Sequence, residues 1–147
     1  MDYLCDTNIF LRLALRNDPD RSLVFDALQK LILRSDRLFY TSQILGEFWN
    51  VCTRPTSARS GLGLSIEQTE RKVRLIERHF RLLPDSVAVH QEWRRIIPAY
   101  GVSGVQVHDA RLVAAMQVHG LQNIITLNLK DFARYSGINA IHPKDVK

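Results

Sequence analysis

Five short apolar segments recur along the chain, and helix-patterned stretches separate them. The segments are Asp2 to Cys5, Arg37 to Thr41 (RLFYT), Arg81 to Leu83, Asn123 to Leu127 (NIITL) and Ala140 to His142. Between them the apolar residues fall at helical spacing. The spacing predicts helices over Ile9 to Arg16 (capped by Thr7 or Asn8), Pro19 to Arg34, Ser42 to Cys52, Ser86 to Tyr100 and His108 to His119, and a helical turn over Asp131 to Tyr135. Leu23, Ala27, Leu28, Leu31 and Ile32 line one side of the second helix. Ser65-Ile66-Glu67-Gln68 reads as a capping box opening a further helix, with Ile66, Val73, Ile76 and Phe80 inward. Strand–helix alternation of this kind favours a parallel sheet covered by helices on both faces. The expectation is an α/β fold: a parallel central sheet of about four to five short strands flanked by helices, in one domain spanning residues 1–147. Arg54 to Gly63 reads as a loop by composition.

Composition narrows the function classes. No stretch reaches the ~20 uninterrupted apolar residues of a membrane span, and no basic region precedes an apolar run at the N-terminus. Cys5 and Cys52 lie in apolar surroundings outside any CxxC pair, which points to buried thiols in a reducing, cytoplasmic setting. The five histidines do not cluster with cysteines, which argues against zinc. Net charge is +5, and fifteen of the twenty basic residues are Arg. That balance suits nucleic acid and suits an ordinary basic protein equally.

Acids stand where such folds place their sites. In open α/β sheets, sites form at the carboxyl ends of strands. Asp6 follows the first strand directly, in LCDTNIFL. Glu47 lies on the polar stripe Gln43, Glu47, Asn50 and Arg54 of the helix TSQILGEFWNV. Asp109 lies in the first turn of VHDARLVAAMQVHG, and Asp131 stands in TLNLKDF just past the fourth strand. Each alone admits a plain reading: a cap, a solvated helix position, an acid favoured by the helix dipole. Several acids at one end of a sheet would repel one another unless a cation offset them, and oxygen ligands suit Mg²⁺ or Mn²⁺.

The order and spacing of these motifs resemble the PIN-domain family, and within it the VapC-like toxin ribonucleases. The carriers are Leu4 to Asn8, Glu47 in SQILGEFWNV, Asp109-Ala110 opening an apolar helix, and Ile125 to Asn128 followed by Asp131-Phe132. The resemblance covers nearly the whole chain. It implies a PIN-like α/β/α fold and metal-dependent hydrolysis of RNA by Asp6, Glu47, Asp109 and Asp131. Thr7, Asn8, Thr126 and Asn128 would be polar groups around those carboxylates. It also implies an antitoxin partner of a type II toxin–antitoxin pair, and a homodimer. Many members carry Asp where this chain has Asn128, so Asp131 is expected to supply the fourth acid. Arg54, Arg59 and Arg111 flank the acids and are the candidate RNA contacts. Arg71, Arg74, Arg78 and Arg81 share a helix face, but Glu67, Glu70 and Glu77 stand four residues before three of them, the spacing of self-paired helix charges.

Competing readings follow from the same residues. A non-catalytic PIN-like RNA-binding module is favoured by Asn128. A receiver domain would use Thr126 and Lys130 but wants an acidic pair after the first strand, where Asp6 meets Thr7-Asn8. A phosphatase with a nucleophilic Asp wants an acid at Asn8.

Overall fold

The computed structural model describes all 147 residues, Met1–Lys147. In chain order the elements are β1 (Asp2–Cys5), α1 (Thr7–Ala14), α2 (Arg21–Leu33), β2 (Arg37–Thr41), α3 (Ser42–Thr53), α4 (Ile66–His79), β3 (Arg81–Leu83), α5 (Val87–Ala99), α6 (Gln106–His119), β4 (Asn123–Ile125) and β5 (Asn139–Ile141). Short 3-10 turns span Leu129–Phe132 and Pro143–Asp145. The five strands form one parallel sheet in the order β3-β2-β1-β4-β5. No helix is long and apolar enough to cross a membrane.

The order of the sheet decides where a site can be. From β1 the chain steps outward to β2 and β3 through α1 to α4. It then returns across the sheet through α5 and α6 to β4, on the other side of β1, and continues to β5. Right-handed crossovers put helices of opposite travel on opposite faces. The connections therefore diverge between β1 and β4, and a crevice opens at the carboxyl ends of those two strands.

Burial explains why these strands pair centrally. Tyr3, Leu4, Cys5, Ile124 and Ile125 are all buried, as expected of strands covered on both faces. The core is one contiguous cluster that joins them to Ile9, Phe10, Ile44, Phe48, Leu112, Val113 and Met116. Phe10 meets Phe48 and Phe80 edge-on, with centroids 6.4 and 4.9 Å away.

Several boundaries differ from the sequence reading. α1 starts at Thr7, because the Asp6 carboxylate caps it by accepting from the Thr7 N–H at 2.8 Å. Thr7 and Asn8 are not the caps; their side chains bond elsewhere. β4 stops at Ile125, where Thr126 turns its hydroxyl toward Asp6. The Ser65–Gln68 capping box forms as read. Ile66, expected inward, is exposed because the whole first turn of α4 stands in solvent, and the inner face begins at Thr69. Ile32 is exposed too, next to exposed Leu33. The stretch after α3 is held by hydrogen bonds: Leu62 N–H reaches Val51 O at 3.0 Å and Leu64 N–H reaches Cys52 O at 2.8 Å.

α6 ends on Gly120, at φ 72° and ψ 23°, where Leu121 N–H bonds back to Met116 O at 2.8 Å. A side chain there pays a left-handed penalty of about 1–2 kcal/mol. Gly120→Ala is expected to lower the melting temperature by about 2–4 °C for each kcal/mol, read by calorimetry, without changing the fold.

Candidate metal and nuclease site

The crevice between β1 and β4 holds a hydrogen-bonded carboxylate. Asp6 extends β1, with its N–H on Ile125 O at 3.0 Å, and it is only 7% exposed. Burying a carboxylate is costly unless donors surround it. Three do: the Thr126 hydroxyl at 2.7 Å, the Asn8 amide at 3.1 Å and the Thr7 N–H at 2.8 Å. Thr126 is fully buried and uses its whole capacity. It donates to Asp6 and accepts from Asn8 Nδ2 at 3.2 Å and from the Asn128 N–H at 3.0 Å. Asn8 Oδ1 in turn accepts the Leu127 N–H at 3.2 Å.

Glu47 joins from α3. That helix starts directly at the end of β2, where Thr41 Oγ1 accepts the Ile44 N–H at 3.2 Å. Each Glu47 oxygen has a neutral donor: Thr7 Oγ1 to Oε2 at 2.6 Å, and Gln43 Nε2 to Oε1 at 3.0 Å. The same Gln43 nitrogen also donates to the His108 carbonyl at 2.9 Å, beside Asp109 on α6. Sequence reasoning set Gln43 on the polar stripe with Glu47 but gave it no role. The i,i+4 spacing was the available signal.

Asp109 stands in the first turn of α6, and Asp131 in the exposed 3-10 turn that Phe132 anchors in the core. Asp6 and Asp109 feel the charges of others in the set. Asp109 is pushed up to about 7, first by burial and then by the charges of Asp6, Asp131 and Glu47. Burial raises Asp6 above the usual carboxylate range, against the lowering hydrogen bonds of Thr126 and Thr7, and the charges of Glu47 and Asp131 raise it further. None of the four acids forms an ion pair, in a chain of net charge +5. No three acids, histidines or cysteines converge on one point as a closed ligand set. Charge coupling thus extends over the group while ligand geometry does not close. The donor set fits a hard divalent ion of the Mg²⁺ type, which is held by one or two carboxylates and keeps several waters. Asn128 is exposed and enters the network through its backbone.

The flanking arginines are partly engaged. Arg54 Nη1 donates to the Arg59 carbonyl at 2.6 Å, and Arg111 pairs with Asp85 at 3.1 Å. Arg59 is exposed with no ion pair. On α4, of the three expected Glu–Arg pairs only Glu70–Arg74 forms, at 3.2 Å.

The family model of the PIN domain matches residues 3–138. The chain belongs to the PIN-domain family. No curated protein sequence matches it. Among solved structures, VapBC2 from Rickettsia felis, bound to a DNA fragment from its promoter, aligns at TM-score 0.68 and 17% identity, covering 97% of this chain and 98% of that one. A toxin–antitoxin complex from Klebsiella pneumoniae aligns at TM-score 0.65 and 22% identity, covering 96% and 97%. VapC20 of Mycobacterium tuberculosis, described as a sarcin-ricin loop cleaving toxin, aligns at TM-score 0.58 and 17% identity, covering 83% and 86%. At these identities the likeness is one of fold. The order in which this PIN domain presents its acids is therefore carried by its own residues.

The raised carboxylates give the metal-free chain a defined pH response. A folded-state pKa above the ordinary value means that the folded state holds its proton more tightly. Stability then falls as pH rises from Asp's ordinary 3.8 toward about 7 for Asp109. In chelator, melting is expected at higher temperature at pH 5 than at pH 8. Asp109→Asn should flatten most of that slope.

Proposed function

We propose that this PIN domain is a divalent-metal-dependent endoribonuclease, acting as the toxin of a type II toxin–antitoxin pair. The observation that carries the reading is the set of four acids at the sheet crevice without a basic partner, two of which, Asp6 and Asp109, are raised by the charges of others in the set. Like charges gathered in that way call for a cation. Asp6, Glu47, Asp109 and Asp131 would hold Mg²⁺ or Mn²⁺. When bound, the ion supplies an acidified water and offsets charge on the phosphate. The chain's own residues do the arranging. Thr126, Asn8 and Thr7 fix the buried Asp6 carboxylate, and Thr7 and Gln43 fix Glu47. Arg59 offers the unpaired guanidinium for an RNA phosphate, and Arg54 and Arg111 are further candidate contacts.

The antitoxin proposal draws on the fold likeness to toxin–antitoxin complexes and on an apolar groove of about 610 Å³ between α1, α2 and α4. Phe10, Leu13, Phe25, Leu28, Leu75 and Phe80 line it, and Phe25 and Leu75 are 51% and 56% exposed. Open apolar surface of this kind suits a protein segment. The homodimer rests on family resemblance alone.

The test is cleavage of pooled RNA by the purified chain with Mg²⁺, with Mn²⁺ and with chelator, beside Asp6→Asn. Cleavage that needs metal is expected, with a loss of at least about a hundredfold in Asp6→Asn. RNA binding with steep salt dependence but equal background cleavage in all lanes would favour the non-catalytic binding module.

A further inference from the structure

The two acid-bearing helices α3 and α6 each pack mainly on other elements. α3 lies mainly against α1 and α4, and α6 mainly against α5. One side chain bridges them. Gln43 Nε2 spends one hydrogen on Glu47 Oε1 at 3.0 Å and the other on the His108 carbonyl at 2.9 Å, and His108 directly precedes Asp109. No other hydrogen bond joins α3 to α6.

We infer that Gln43 is a positioning residue for the acidic site: its amide sets the spacing between Glu47 and the start of α6, and so the joint hold of Glu47 and Asp109 on a divalent cation. This rests on the reading of the site as a cation site. Three features of the amide carry the inference. It has two donors and faces two acceptors, so its orientation is fixed, because a flipped amide would set its oxygen against a carboxylate and a carbonyl. It is neutral, so it orients Glu47 without offsetting the charge a cation needs; a lysine or arginine there would pair with Glu47 and compete with the ion. Its oxygen is out of solvent and has no partner. An unpaired buried carbonyl is costly, and the side chain accepts that cost to keep both donors on the site. Groups that orient metal ligands in this way change metal affinity by roughly tenfold to a hundredfold when removed.

The test is Mn²⁺ binding followed by the free-ion electron paramagnetic resonance signal, on the wild-type chain, Asp6→Asn, Gln43→Ala and Gln43→Met. Met keeps the length and helix propensity and removes both donors. Melting in chelator is measured on the same samples. Wild type is expected to bind Mn²⁺ and Asp6→Asn to lose it. Both Gln43 variants are expected to bind roughly tenfold to a hundredfold more weakly, with melting in chelator close to wild type. Wild-type affinity in Gln43→Met would overturn the positioning role and leave the cation reading standing. Loss of affinity only together with loss of the folded state, in both variants, would make Gln43 a structural brace and overturn it as well. A wild-type chain that binds no Mn²⁺ would remove the cation reading and this inference with it.

Discussion

The Asp6 carboxylate is buried against the sheet and kept there by the Thr126 hydroxyl, the Asn8 amide and the Thr7 N–H. An ionisable group in that position needs its donors held rigidly, since each lost donor exposes the desolvation penalty. Thr126 is rigid because it leaves β4 at the point where that strand pairs with β1. Asn8 is rigid because it bonds to Asp6, Thr126 and the Leu127 N–H together. The adjacency of β1 and β4 therefore does two things at once. It opens the crevice, and it supplies the donors that make a buried acid tolerable there.

Around that carboxylate the charge distribution is uneven. The chain as a whole is basic, yet the acids at the crevice are without ion pairs, while several surface arginines are matched: Arg12 with Asp18, Arg37 with Asp2, Arg95 with Glu92. Exposed pairs of that kind contribute little to stability. Their effect here is to leave the field at the crevice uncancelled. A local negative site on a positive molecule attracts small cations.

Much of this could be read from the residues. Strand–helix alternation gave the parallel sheet, and the place of Asp6 after the first apolar run gave the end at which to look. Other features needed three dimensions. The cap of α1 went to Asp6 because Thr7 and Asn8 are used across the crevice, on Glu47 and Thr126, about forty and 118 positions away in sequence. No local pattern encodes partners so distant. Gln43 lay on a stripe that periodicity reads as solvated, and its bridge to His108 depends on how α6 comes to rest. Ile66 and Ile32 had inward spacing, but spacing says nothing of where a neighbouring surface ends.

The sheet order also governs when the site can exist. β1 precedes its partner β4, residues 123–125, by about 120 positions, and Thr126 follows immediately. Pairings so far apart in sequence close late and slowly. While a nascent chain is still being extended through α5 and α6, Asp6 has neither the Thr126 hydroxyl nor the charge of Asp109 beside it. The acidic centre is completed only once Thr126 and Asp131 have been made. A growing polypeptide on the ribosome thus carries its unfinished site in an unassembled form until β4 and the turn after it have been made.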